Sequence, residues 1–231
     1  VHYGSGIDSG EDVYLNSQGN SDFSDVRFTG SDGMALLDYW MEDKNDSDYA
    51  NTWVEISEDL SSANRTIYLY YGNTEASSAS NAEATFLVGE LFTNASHWTP
   101  LNGTWTLENG QGNLPPAYKG VTTIGRRSSL SDYSPPADMR ILTRMKTSVA
   151  GSLCNLVFRT ATNDNDGNDR VWFRMDFRDP INGGGYSIIE DVGGVEYERY
   201  MERQQLTVGV WYHAELLIKG SAVEVIKNRT E

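Results

Sequence analysis

Cysteine is nearly absent from the sequence, which has Cys154 alone among its 231 residues. An internal disulfide is therefore excluded, and Cys154, within the apolar stretch SLCNLVFR, is predicted to be a small buried side chain. Long hydrophobic runs are missing too: no segment approaches the eighteen or so apolar residues of a membrane-spanning helix. We therefore expect no direct membrane insertion of this segment.

Basic residues are scarce, with 18 Lys and Arg against 33 Asp and Glu, for a net charge of −15. Nucleic acid and anionic membrane surfaces are poor partners for such a chain, because both require clustered positive charge. The charge is also uneven. Up to Val88 there are 3 basic and 16 acidic residues (−13), whereas the rest of the chain has 15 and 17 (−2). This shift predicts two domains, residues 1–86 and residues 87–231.

Alternating strands are the pattern that the sequence does contain. In RVWFRMDFR, one face would carry Val171, Phe173, Met175 and Phe177, and the other Trp172, Arg174, Asp176 and Arg178. GVEYERYMER alternates in the same way, and so does ADMRILTRMK with the exception of Leu142. The first part is predicted to have short strands at EDVYLN, DVRFT, MALLDYW, NTWVEIS and RTIYLYYG. Turns rich in Gly, Asn and Asp separate such segments. We therefore predict an all-β protein of two β-sandwich, jelly-roll-like domains in tandem, built from half-buried antiparallel strands.

Four blocks of the first part resemble a known family. They are VHYGSGIDSGEDVYLN, DFSDVRFTGSDGMALLDYWMED, DYANTWVEI and TIYLYYGN. Together they resemble a domain of unknown function that occurs in large archaeal and bacterial surface or secreted proteins. LFTNASHWTPLNGTWTLENG resembles the opening strands of a concanavalin A-like (laminin G-like) domain, which commonly follows in such proteins. The resemblance implies an extracellular, multidomain surface protein, truncated here at both ends, and it implies no reaction.

Glycosidases that use the concanavalin-like sandwich provide the pattern for possible catalytic carboxylates. Such enzymes need two acids on one strand, one to protonate the leaving oxygen and one to attack or to activate water. The spacing Glu-x-Asp does not occur in the chain. Glu196 and Glu198 are the nearest substitute, and they are expected to form cross-strand pairs with arginines instead. A non-catalytic protein is therefore predicted, with a degenerate glycosidase as the remaining enzymatic alternative.

Calcium is the cofactor that the acidic turns favour. The turn TNDNDGNDR offers hard oxygen ligands around Gly167, namely Asp164, Asp166, Asn168 and Asp169. The EF-hand spacing fails there, and an ordinary hairpin loop would use the same residue types. The acidic turns at 6–12 and 42–48 allow the same two interpretations. The acidic pair that relatives often carry before Phe92 is Glu90 and Leu91 here, which argues against a calcium site at that point.

The sequence indicates both a possible sugar-binding surface and possible glycosylation sites. Trp172, with Arg174 and Asp176 on the outward face of its strand, is predicted as a sugar-binding platform, since aromatic rings stack on sugars and charged groups bind hydroxyls. Five Asn-x-Ser/Thr sequons are predicted to be glycosylation sites in an extracellular protein. They begin at Asn45, Asn64, Asn94, Asn102 and Asn228.

The function predicted from these features is structural. We expect a non-catalytic extracellular module pair of a larger surface protein, with a role in a filament, sheath or cell-surface layer. Its partners would be other copies or domains of the same protein, joined through open strand edges. The alternative is a carbohydrate-binding adhesin or an accessory module of a secreted glycoside hydrolase.

Overall fold

Strands form nearly all of the regular structure in the computed structural model of the chain, so the predicted all-β class is confirmed. The structure describes residues 1–61, 63–110, 116–121, 128–134, 136–160 and 169–226. Two compact units are present. The first comprises Val1–Ser96 with Trp105–Lys119, and the second comprises His97–Thr104 with Gly120–Glu231. The division of domains at residue 86 stays a prediction.

The strands are numbered in chain order along the described residues. They are β1 (Arg27–Thr29), β2 (Leu36–Leu37), β3 (Tyr39–Asn45), β4 (Tyr49–Val54), β5 (Tyr68–Tyr70), β6 (Trp98–Asn102), β7 (Thr104–Glu108), β8 (Ala117–Val121), β9 (Ser128–Ser131), β10 (Met139–Met145), β11 (Leu153–Thr160), β12 (Arg170–Asp176), β13 (Gly185–Val192), β14 (Val195–Arg203), β15 (Tyr212–Lys219) and β16 (Ala222–Ile226). The helix α1 (Ala82–Thr85) and a 3-10 turn at Pro180–Asn182 complete the regular elements of the described part.

The first unit is built on two small sheets, β2–β1–β5 and the hairpin β3–β4, and it contains most of the paired strands β7 and β8. Its core follows from strand alternation: Phe28 of β1 opposes Leu37 and Leu69 on the two neighbouring strands. The phenol of Tyr39 donates a hydrogen bond to the Val26 carbonyl at 2.8 Å, which satisfies the polar end of a buried ring. The buried residues of this core are Leu15, Phe23, Val26, Phe28, Tyr39 and Ala50.

The second unit has a sandwich of two antiparallel sheets. One has the order β11–β12–β13–β14 and the other has the order β10–β15–β16. Side chains from β12 and β13 meet those of β15 between the sheets, as inward-facing alternate positions do. The predicted inward face of β12 is confirmed, because Phe173, Met175 and Phe177 are buried in this core. The other buried members are Tyr186, Ile188, Leu206, Tyr212, Ala214 and Leu216.

A glycine permits the close approach of β13 and β14. Gly185 has a φ of +132°, and a Cβ atom there would lie 2.0 Å from the Glu202 carbonyl oxygen. No side chain fits at that distance, so only glycine suits both the backbone angle and the spacing. The first pair of the β13–β14 ladder, Gly185 with Arg203, depends on it.

Two predictions about strands are wrong. GVEYERYMER was expected to be half-buried, yet every residue of β14 is exposed except Met201, which is partly buried. The strand is the edge of a four-stranded sheet that faces a three-stranded one. EDVYLN was expected to be a strand, but residues 11–16 make only isolated bridges, such as the one between His2 and Tyr14.

The core of the sandwich gives the first testable prediction, on adjacent leucines of β15. Leu216 is fully buried, whereas Leu217 on the opposite face is 36% exposed. Replacing Leu216 by Ala should lower the free energy of unfolding by about 2–5 kcal/mol, because it removes buried methyl groups and leaves a cavity. Leu217→Ala is the matched control and should lower it by less than about 1.5 kcal/mol. Urea denaturation measures both, and equal losses would contradict the assigned strand phase.

Candidate binding surfaces

Trp172 is a covered side chain and not the open platform that was predicted. The residue is 3% exposed. The guanidinium groups of Arg170 and Arg174 lie 5.1 and 5.6 Å from the ring centroid, within the range of cation–π attraction. Strand alternation correctly indicated that Trp172 faces away from the sandwich core. It could not indicate that neighbours cover this second face.

Asp176 is equally closed to a ligand. The residue is 2% exposed, and both of its carboxylate oxygens accept from Nε of Arg178 at 2.9 Å. This hydrogen bonding is the main cause that raises the pKa of the Arg178 guanidinium, and the attraction between the two charges adds to it. Arg174, the third residue of the predicted platform, donates from Nε to Oδ1 of Asn155 at 3.3 Å. The three residues share a strand face, but Arg174 and Asp176 are hydrogen-bonded to other residues of the protein, and the Trp172 ring is covered. Their role in glycan binding stays a prediction.

The carboxylates considered for catalysis lie on the exposed edge strand β14. Glu196 has a side chain that is 52% exposed, and its Oε2 lies 3.5 Å from the Arg174 guanidinium. Glu198 is exposed as well. A carboxyl group that acts as an acid near neutral pH needs shielding from water or a like charge beside it. Neither glutamate has the shielding that a degenerate glycosidase would require.

The predicted calcium ligands fall mostly outside the described residues, as Asp164, Asp166 and Asn168 do. Asp169 is described, and its Oδ1 accepts from the Gly193 backbone N–H at 2.9 Å. Within the described ranges, no group of three His, Cys, Asp or Glu side chains is placed to hold a metal ion. Calcium binding at 164–169 stays a prediction.

Four of the five sequon asparagines are described, and all four are exposed: Asn45, Asn64, Asn94 and Asn102. Asn228 lies outside the described residues. Oδ1 of Asn94 accepts from the hydroxyl of Ser96 at 2.5 Å, so the two polar residues of that sequon contact each other. Exposure is what an acceptor asparagine needs, and glycosylation itself stays a prediction.

An exposed tyrosine pair was not singled out in the sequence. Tyr68 and Tyr70 on β5 are each 46% exposed and point to the same face, about 7 Å apart along the strand. Leu36 lies 70% exposed on this face, opposite the same Thr29 that opposes Tyr68. The alternation of TIYLYYGN contained the signal, because Leu69 between the tyrosines faces the core.

The two edges of the four-stranded sheet differ sharply. The sequence of β14 carries five charged residues in nine and a bulge at Ile188/Ile189 in its pairing. Natural sheets protect edges from unwanted pairing with such charges and bulges. In contrast, no charged residue occurs from Gly151 to Phe158, the stretch that includes most of β11. Two apolar side chains of that edge are exposed, Leu153 (42%) and Val157 (46%).

Substitution of Trp172 tests whether this residue is structural. Trp172→Ala should lower the free energy of unfolding by about 3–5 kcal/mol, since a large buried ring is lost. Trp172→Phe should lower the free energy of unfolding less, because it keeps an aromatic ring. It also removes the indole Nε1–H, which is buried without a hydrogen-bond partner and therefore costs stability. Urea denaturation gives both values. Normal stability of Trp172→Ala, combined with lost binding on a glycan array, would instead favour the predicted sugar platform.

Comparisons with known proteins cover parts of the chain. Residues 22–108 match a family model described as "Domain of unknown function (DUF2341)". No curated protein matches the sequence significantly. Among solved structures, the carbohydrate-binding module CBM66 from Bacillus subtilis is similar at 17% sequence identity and a TM-score of 0.43, over 60% of this chain and 81% of that one. The match at 22–108 supports the resemblance of the first part to a domain of unknown function, while the concanavalin A-like assignment stays a prediction.

Proposed function

We propose that the chain is a non-catalytic module pair of a larger extracellular surface protein, and that it serves assembly through strand edges. The partners are other copies or domains of the same protein, in a filament, sheath or cell-surface layer. The observation that carries the proposal is the uncharged edge of β11, which exposes Leu153 and Val157. An exposed, apolar edge strand is a template for pairing with another chain.

The non-catalytic part of the proposal is supported by the glutamates of β14. Glu196 and Glu198 are exposed side chains of an edge strand. Both side chains are open to water, whereas the carboxyl group of a general acid is normally shielded from water by the protein around it.

The extracellular location is supported by the sequons and by the charge of the chain. Asn45, Asn64, Asn94 and Asn102 are exposed and can accept a glycan, and intact-mass spectrometry of the native protein tests this. A net charge of −15 suits solubility at a surface. Among the described residues, no helix has the length and apolar character needed to cross a membrane. Calcium at Asp164, Asp166, Asn168 and Asp169 remains part of the proposal.

Assembly can be measured by sedimentation velocity over a range of concentrations, with and without Ca²⁺. We expect reversible association that Val157→Lys weakens tenfold or more, because it places a charge on the pairing edge. Val195→Lys, at an exposed valine of the opposite edge β14, is the matched control and should change nothing. Both substitutions are on the surface and should alter the free energy of unfolding by about 0.5 kcal/mol or less. A chain that stays monomeric at every concentration would contradict the proposal.

Carbohydrate binding is the second candidate function, and the exposed pair Tyr68 and Tyr70 favours it. Two exposed rings on one strand face can stack on successive sugars. The hydroxyl of Tyr70 donates to the Gly33 carbonyl at 3.2 Å, which fixes the orientation of that ring. The carboxylate of Asp32 accepts from the N–H groups of Met34 and Ala35, which closes the turn beside Gly33 and lowers the pKa of Asp32.

A glycan array with matched tyrosine variants tests this candidate. If the pair binds sugar, Tyr70→Ala and Tyr68→Ala should each reduce binding at least tenfold, at about 1.4 kcal/mol per factor of ten. Tyr197→Ala removes a tyrosine of similar exposure on β14 and should leave binding intact. Equal binding by all three variants would exclude the tyrosine pair as the site.

A further inference from the structure

Along one edge of β11, the backbone N–H and C=O groups have no partner strand in the part of the chain that the structure describes. The N–H of Phe177 donates to the Ser152 carbonyl at 3.0 Å, so the backbone of Ser152 faces β12. Neighbouring residues of a strand direct their backbone groups to opposite edges. Leu153, Asn155 and Val157 therefore direct theirs away from β12. Within the described residues, no other strand pairs with β11 on that side.

The outward-facing side chains of β11 would be complementary to those of β11 in a second copy of the chain. Leu153 and Val157 are exposed, and Asn155 lies midway between them. A second copy related by a two-fold axis through Asn155 would place Leu153 opposite Val157 and Asn155 opposite its own counterpart. The intervening Cys154 and Leu156 pack against the sandwich core and would face each other on the inward side. No like charges meet in this register, and apolar side chains oppose apolar ones.

The ends of the edge limit the pairing to these five residues. Beyond Val157 the ladder shifts register, and the Arg159 guanidinium turns to the carbonyls of Ala137 and Gly220 at 3.0 and 2.6 Å. Before Leu153, the N–H of Gly151 donates to the Phe177 carbonyl at 3.2 Å, which turns the chain towards β12. A short edge bounded in this way suits a closed two-fold pair rather than an open array of strands.

The alternative pairing, through β14, does not meet the same conditions. A two-fold axis through Arg199 would oppose that arginine to itself and Glu196 to Glu202, and like charges directly opposite one another are destabilising. Arg199 also sits where the β13–β14 register shifts, and its guanidinium is bound to Glu190 at 2.7 Å.

We infer that β11 pairs antiparallel with β11 of a second copy of this chain, on a two-fold axis at Asn155. The two sheets would join into one continuous eight-stranded sheet. Leu153, Asn155 and Val157 would each exchange two backbone hydrogen bonds with the residue opposite. This inference rests on the proposed assembly through strand edges and specifies its partner and register. A five-residue interface is small, so the contact is weak between free chains and gains strength where copies are held close together.

The charge of the chain predicts how this contact responds to salt. Two copies of net charge −15 repel each other, while the β11 edge itself is uncharged. Salt shortens the range of the repulsion, from a Debye length of about 30 Å at 0.01 M to about 10 Å at 0.1 M, and leaves the apolar contact in place. Association should therefore strengthen as salt is added, the opposite of what pairing through salt bridges would give.

Cysteine cross-linking of the full chain tests the register. In a Cys154→Ala background, Asn155→Cys should form a disulfide dimer on mild oxidation. Residues directly opposed in a hydrogen-bonded pair have Cα atoms about 5.5 Å apart, which is within disulfide range. Leu153→Cys is the matched control: its counterpart would lie four residues along the strand, about 13 Å away, so no dimer should form. Urea denaturation of each variant confirms that it is folded.

The possible outcomes separate the inference from the proposed function. Two results together establish the register. Cysteine at 155 cross-links whereas cysteine at 153 does not, and Asn155→Lys weakens association in sedimentation tenfold or more. Association that persists without cross-linking at 155, or with equal cross-linking at both positions, overturns the β11 pair while leaving assembly through another edge. A chain that neither associates nor cross-links overturns both.

Discussion

The second unit depends on one packing constraint, which is that the apolar face of β12 and β13 must be covered by β15. Phe173, Met175 and Ile188 are buried there against Ala214 and Leu216. The covering sheet has three strands against four in the described part of the chain. The edge strand β14 is consequently exposed on both faces, and charged residues, which need no cover, occupy most of it.

The acidic residues of this chain organise its turns. Asp25 is buried, and its oxygens accept from the backbone N–H groups of Asn20 at 2.9 Å and of Gly72 at 2.5 Å. Asp191 is buried in the second unit, and its Oδ1 accepts from the Gly194 N–H at 2.8 Å. Each of these carboxylates satisfies a backbone donor where the chain turns. In a chain without disulfides, such bonds help to fix loops that would otherwise be held by the core alone.

Acidic and aromatic residues lie close together in sequence throughout residues 25–56, and the packing of the hairpin β3–β4 explains this pattern. The hairpin β3–β4 buries Tyr39 on one face, while on the other face Trp40 and Trp53 contact Phe86 at ring distances of 5.6 and 6.0 Å. The indole Nε1 of Trp53 donates to Glu42 at 2.8 Å. Aromatic side chains thus pack on both faces of the hairpin, and an acid satisfies the polar atom of one of them.

The sequence by itself determined the all-β class and which residues of β12 face inward. Successive side chains of a strand point to opposite faces, so the alternation can be seen in a short stretch of sequence. The inward positions Phe173, Met175 and Phe177 were predicted correctly on this basis. The sequence also argued against catalysis by Glu196 and Glu198, because the Glu-x-Asp spacing of the concanavalin-like glycosidases is absent from it.

Only the tertiary structure decided which faces are covered. Trp172 and Tyr197 both lie in alternating strands with charged neighbours, yet Trp172 is 3% exposed on the second strand of its sheet and Tyr197 is 43% exposed on the edge. The order of strands in a sheet and the width of the sheet opposite are set by contacts between residues far apart in sequence. A local period specifies the two faces of a strand, but neighbours brought together by folding determine whether each face is wet or dry.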